Sequence, residues 1–199
     1  DPITVDQVLS SRMIADPLHM LDCCLISDGG AAVVVSSRAA ARDARGKAIE
    51  VLGAGQGHTH EHIAAAAGLV DFGCKTSSAM AFARAGVTAG DIDVAQIYNS
   101  FTITLAVELE SIGFFERGQA GIAAAAGELG LGGRLPCNTH GGLMSYAHSG
   151  AAGGMFHVVE AVHQLRGSAD ARQVRNAKLA FVHGDGGILS AHCSLVLGA

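Results

Sequence analysis

Tyr146 and His148 stand two residues apart in a polar loop that also carries the glycine pairs Gly141, Gly142 and Gly153, Gly154. A shorter run, Tyr98, Asn99, Ser100 and Phe101, comes before it. A third, His183, Gly184, Asp185, Gly186 and Gly187, comes after it. Tyr98 and Tyr146 are the only tyrosines of the chain. A packed core has little use for such mixtures. A site that must bring backbone N–H groups, a proton carrier and a substrate together does. A fourth run, His58, His60 and His62, would put three imidazoles on one face of an extended segment, where they could meet a metal. With no cysteine or second carboxylate converging by spacing, a polar loop at a pocket mouth is the better reading there.

The elements that must position these residues follow from pattern. Pro2 and Pro17 make residues 1–20 an irregular lead-in, with a short helix over 4–10 capped by Thr4. Residues 31–35 form a β-branched run that reads as a buried strand after a turn at Asp28, Gly29 and Gly30. A helix is expected over 37–45, a strand over 48–55, a helix over 76–85 ending at Gly86, and a strand over 91–98. Gly53, Gly55 and Gly57 superficially resemble a dinucleotide loop, but no helix opens on them and no acidic residue follows at the required distance. A helix over 101–113 begins just after Tyr98, so the first motif falls at a strand-to-helix junction, where α/β proteins bind ligands. Its Glu108 and Glu110 are expected in solvent. Residues 117–130 suggest a second short helix. The His148 loop runs into a helix with Met155, Val158, Val159, Val162 and Leu165 as its apolar face and His157, Glu160, His163 and Gln164 mostly opposite. Two apolar runs, 174–183 and 188–197, flank the last glycine turn as an antiparallel hairpin. His19, His157, His163 and His192 read as structural or solvated.

Asn138, Gly141, Gly142, His148 and Gly154 resemble the loop of thiolases that carries their essential histidine. Residues 183–187 resemble the glycine-rich loop that follows it there, and Tyr98 to Phe101 resemble the short motif that holds an oxyanion-hole side chain. Order and spacing agree with the C-terminal half of the thiolase superfamily, closest in detail to its lipid-transfer-protein or sterol-carrier-type branch, which includes steroid side-chain aldolases. The resemblance implies an α/β fold over residues 1–199, one mixed five-stranded sheet with helices on both faces. It implies carbon–carbon bond chemistry on an acyl-CoA thioester through an enolate, with no metal and no cofactor beyond the CoA of the substrate. It makes His148, Tyr98, Tyr146 and His183 the candidate catalytic residues. Asn99, Ser100, Phe101, Gly142, Ser149, Asp185, Gly186 and Gly187 become the candidate substrate-binding set. Two departures matter. Thiolases place a polar Asn or His where Tyr98 stands and a cysteine where His183 stands. None of Cys23, Cys24, Cys74, Cys137 or Cys193 matches the nucleophile motif of the thiolase N-terminal half. Retro-aldol cleavage of a β-hydroxyacyl-CoA and thiolytic or Claisen exchange are the two reactions in play, with a non-catalytic lipid- or acyl-CoA-binding subunit as the rival. The family also implies a homodimer and, in this branch, a small OB-fold, zinc-ribbon partner that binds acyl-CoA.

Composition agrees. Of 199 residues, 49% are hydrophobic and 16% charged, enough for one well-packed α/β core. A net charge of −5 without a basic cluster argues against nucleic acid. Five cysteines in no metal pattern read as reduced thiols of a cytoplasmic protein. No apolar run is long enough to span a bilayer. The chain begins at Asp1, which reads as a fragment or a processed chain. Half of a thiolase would expose the apolar surface that its other half covers.

Overall fold

The computed structural model describes residues 2–43 and 46–199. In chain order it forms α1 (Val5–Ser10), β1 (Met13–Ala15), β2 (Leu18–His19), α2 (Arg38–Ala41), β3 (Glu50–His58), α3 (Gly73–Ala85) and β4 (Val94–Ile97). There follow α4 (Thr102–Ile112), α5 (Ala120–Ala125), α6 (Gly142–Ser145), α7 (Gly153–Arg166), β5 (Leu179–Gly186) and β6 (Ala191–Gly198). The main sheet runs β3, β6, β5, β4. β4 and β5 are parallel, and the other neighbours are antiparallel. The β5–β6 hairpin is the one that the glycine turn predicts.

Strand alternation divides the core between the two faces. Phe181 of β5 and Val196 of β6 pack with Ala81 and Phe82 of α3 and Leu109 of α4. Their strand neighbours Ala180, Val182 and Leu197 pack with Ala161 and Leu165 of α7. The glycines of β3 explain how α3 lies so close. A Cβ at Gly53, Gly55 or Gly57 would collide with the carbonyl oxygen of Ala81, Ser77 or Gly73. Those helix positions are four apart and share one face. The Gly53–Gly57 run is thus a helix-packing surface. At the start of the chain, Thr4 and Gln7 exchange hydrogen bonds of 2.8 and 3.2 Å, the capping box that fixes α1. Ser37 caps α2. The expected helix over 37–45 is observed as Arg38–Ala41, and Ala44 and Arg45 lie outside the described residues.

Three expectations are corrected. The main sheet has four strands, not five. Residues 31–35 form no strand, and Val34 and Val35 are 96% and 85% exposed. β-Branched residues favour a pleated, half-buried surface, but a strand exists only where a neighbour takes its backbone hydrogen bonds. Second, α7 is turned the other way. His157, Glu160 and Gln164 are buried, while Val158, Val159 and Val162 are only partly so. The polar side chains point inward because a loop needs them. The Gln164 amide donates to the Arg172 carbonyl (2.7 Å), and its oxygen accepts the Val174 N–H (2.8 Å). Glu160 accepts from Thr139 (2.7 Å) and pairs with Arg172 (3.1 Å). Third, Glu108 is wholly buried rather than solvated, on the inner side of α4.

Candidate active site

β4 and β5 run in the same direction, so their carboxyl ends deliver Tyr98 and residues 183–187 to one edge of the sheet. The His148 loop closes over that edge. Asn138 anchors it: its side-chain oxygen accepts the Ile97 N–H (2.7 Å) and its amide donates to the Ile97 carbonyl (2.8 Å), as a neighbouring strand would. Asn99 accepts the Leu143 N–H (2.7 Å). Gly142 (φ +63°) packs against that amide so tightly that a Cβ would strike it. The segment 23–27 then fastens the two loops to each other. The Cys24 N–H donates to the Ser100 carbonyl (2.9 Å), the Ser27 N–H to the His148 carbonyl (3.1 Å), and the His148 N–H to Ser27 Oγ (2.9 Å). A segment with little regular structure, just after the lead-in, is therefore part of the site's scaffold.

Within this frame Tyr98 Oη and His148 Nε2 lie 2.7 Å apart, rings edge to face. They line a cavity of about 560 Å³ together with Gly184, Asp185, Gly186 and Gly187. Burial, with Asp185 nearby, pushes the Tyr98 phenol up to about 12, so it holds its proton throughout the physiological range. It is a donor, and not a base in its resting state. If His148 carries its proton on Nε2 and donates to the phenol oxygen, the phenol O–H is free to donate into the cavity. Burial also raises Asp185, to about 7. Cys193 lines the same cavity, and its thiol is raised by burial.

Of the expected site residues, Tyr98, His148, Asp185, Gly186 and Gly187 meet around this space. Asn99, Ser100, Phe101 and Gly142 stand behind it and hold the loops. The Ser149 hydroxyl is buried without a partner in the loop beside His148. His183 does not line the cavity. It is fully buried beneath it, Nδ1 2.9 Å from Ser194 Oγ and Nε2 3.1 Å from His192 Nδ1. The direction of these bonds follows from their end. His192 Nε2 lies 2.9 Å from the Leu189 carbonyl, which can only accept. His192 therefore donates there, its Nδ1 accepts from His183, and His183 in turn accepts from Ser194. Tyr146 is not brought to the cavity either. It is 61% exposed and lines a neighbouring space of about 240 Å³ with His140, Phe156, Glu160 and Arg172.

Among the described residues the one convergence of three potential metal ligands is Glu108, His183 and His192, their donor atoms within 4.8 Å of one another. All four ring nitrogens already have protein partners. Residues 55–199 match the family model described as thiolase C-terminal domain-like. The chain belongs to this family. It is 35% identical over 199 residues to an acetyl-CoA acetyltransferase of Methanothermobacter thermautotrophicus, covering 96% of this chain and 51% of that protein. It is 39% identical over 177 residues to a steroid side-chain-cleaving aldolase of Thermomonospora curvata, covering 84% and 44%. A solved structure described as the Ltp2–ChsH2(DUF35) aldolase superposes with a TM-score of 0.90 at 35% identity, over 100% of this chain and 52% of that one. The chain thus spans about half the length of these relatives.

In this thiolase-family domain, sequence reasoning missed Glu108 and His192. Glu108 reads as one acid on a helix, and nothing local marks it as buried. Its carboxyl lies 3.7 Å from His183 Nε2 and has no hydrogen-bond partner. Burial, with Asp185 nearby, raises it well above its ordinary value. Burial likewise lowers His183 well below its own. The signal that was available for His192 is pairing: in a tight hairpin it must stand across from Asp185.

Proposed function

We propose that this domain supplies the acyl-CoA site of an enzyme acting on the carbon–carbon bond beside a thioester, and that retro-aldol cleavage of a β-hydroxyacyl-CoA is the reaction its residues suit best. The observation that carries this is the Tyr98–His148 pair, 2.7 Å apart on the wall of a cavity faced by a glycine turn. Cleavage puts negative charge on the thioester oxygen as the enolate forms. Preorganised donors must meet it there, and a protonated phenol backed by an imidazole is such a donor. We take the Gly187 backbone N–H of the turn as a second. Relatives named as acetyltransferase and aldolase both fit the broader chemistry. Two features favour the aldolase side. The position where thiolases carry a cysteine is His183, sealed under the cavity. The cysteine that does line the cavity, Cys193, has its thiol raised, so little thiolate is present at neutral pH.

A binding-subunit reading is favoured by one observation. Leu25, Ile26, Val34 and Val35 are 66%, 96%, 96% and 85% exposed, and a protein domain rarely leaves such a run bare. We take these residues to be covered by an N-terminal half or by a second copy in a homodimer. An OB-fold, zinc-ribbon protein is a further expected partner. No helix among the described residues is long and apolar enough to cross a membrane, and a cytoplasmic location is part of this proposal.

The test is product analysis by mass spectrometry with β-hydroxyacyl-CoA and β-ketoacyl-CoA panels, free CoA present or absent, on the complete protein with whatever co-purifies. Release of a carbonyl product from the β-hydroxyacyl-CoA without CoA is expected. Shortening only of β-ketoacyl-CoA, and only with CoA, would assign thiolysis. No turnover by a folded preparation with its partners would leave the binding role.

A further inference from the structure

We infer that the Asp185 carboxylate is the general base of this cavity, taking the hydroxyl proton of a β-hydroxyacyl thioester and returning it to the α-carbon; the inference rests on the retro-aldol reading above.

The step balances without a co-reactant. Asp185 removes the hydroxyl proton, and the O–H electrons become the carbonyl π bond. The Cα–Cβ pair moves to the α-carbon side as the thioester enolate. The protonated Asp185 then gives its proton to the α-carbon. One carbonyl compound and one shortened acyl thioester leave, and the carboxylate is restored. Something in the cavity must accept that first proton, and Tyr98, itself protonated, does not.

Four features of the structure single out Asp185. It lines the same cavity as Tyr98 and His148. Its Oδ1 is buried and has no hydrogen-bond partner, as is also true of the neighbouring Glu108 carboxyl and of Ser149 Oγ, so its accepting capacity is not taken up by the protein. The backbone N–H groups of Gly186 and Leu189 lie close enough to favour the charged form of Asp185. The turn that brings the Leu189 N–H round is strained. Gly187, Ile188 and Leu189 all have φ between 60° and 64°, and a β-branched residue in that region is costly. The same Leu189 carbonyl orients His192. The groups that face Asp185 are Tyr98 after β4, His148 in its loop, His58 on β3, His192 and Cys193 on β6 and Glu108 from α4. None is a fixed cation that would hold the carboxyl strongly acidic. Burial accordingly raises Asp185 to about 7, the range in which a base works best at neutral pH. It and Tyr98 are a pair whose proton affinities the site pushes apart, one as acceptor and one as donor.

Asp185→Asn in the complete protein tests this. Turnover of β-hydroxyacyl-CoA should fall at least ~100-fold, with binding of an analogue lacking the hydroxyl unchanged within about threefold. In the unaltered enzyme kcat/KM should rise with pH through about 7, a limb absent from the residual activity of Asp185→Asn. Asp185→Glu should restore part of the activity. Turnover within tenfold of the unaltered enzyme, with the same limb, would overturn the assignment while leaving the retro-aldol reading intact. If the unaltered enzyme releases no carbonyl product, that reading fails first. Should Asp185→Asn not fold, exchange of the product acyl-CoA α-hydrogen with D₂O decides on the unaltered enzyme: a rise through about pH 7 supports Asp185, and a flat profile overturns it.

Discussion

His148 lies on a loop and His183 near the end of β5, both at one sheet edge, and each is hydrogen-bonded through its Nε2. His148 meets a phenol at the rim of a cavity, and with the Nε2 proton on His148 the phenol keeps its own to offer whatever enters. His183 meets His192 in the interior, and every ring nitrogen of that pair is committed to protein. The first cluster borders open space, as the proposed catalytic role requires. The second is structural because its hydrogen-bonding capacity is complete. Residue type does not distinguish them; the direction in which the last donor points does.

Changing each cluster in turn should sharpen that contrast. The largest effect is expected from His148→Ala. Loss of the imidazole behind the phenol should lower turnover of β-hydroxyacyl-CoA about 10²–10³-fold with little change in Tm, read by steady-state kinetics and calorimetry. His183→Ala should do the reverse. It orphans Ser194 and His192 in the interior and should cost about 1–3 kcal/mol of stability, with activity per folded molecule nearly kept. Equal loss of activity from both variants would erase the distinction. Arg172→Ala probes the brace beneath the second cavity. It leaves Glu160 buried without its cation. A cost of about 2 kcal/mol is expected in urea unfolding, below the range for fully buried pairs because Arg172 is half in solvent.

The smallest effect is a matter of pH. Glu108 is raised in the folded state, so between the ordinary carboxylate value and its folded value the folded protein holds a proton that the unfolded chain has released. Stability must therefore fall as pH rises through that window. Glu108→Gln should remove this slope and stabilise the protein modestly at pH 7. His157 and His140 have the opposite sign. Burial lowers them to about 3 and about 4, so stability should fall as pH drops below about 6.5 toward those values. Urea midpoints at pH 5, 6, 7 and 8 for both proteins would check both slopes.

The sequence made legible what is local. Thr4, Gly86 and Gly113 marked helix ends, and the glycine turn after β5 marked the hairpin. Tyr98 stood out at a strand-to-helix junction, and His148 and Asp185 stood out in glycine-rich runs. What it hid depends on partners far along the chain. Residues 31–35 have the composition of a strand but lack a neighbour. Glu160 and Gln164 look solvated by helical periodicity, yet Thr139, Arg172 and Val174 draw them inward. Glu108 gave no sign, because the histidines that it faces arrive about 75–85 residues later. His183 and Tyr146 occupy motif positions, and which way a motif side chain turns is decided by packing.

The most direct test of the account is turnover by Tyr98→Phe in the complete protein, which removes one hydroxyl and no packing. We expect release of the carbonyl product to fall at least ~100-fold, with Tm and acyl-CoA affinity unchanged. Turnover equal to that of the unaltered enzyme would mean that the Tyr98–His148 cavity is not where the chemistry occurs.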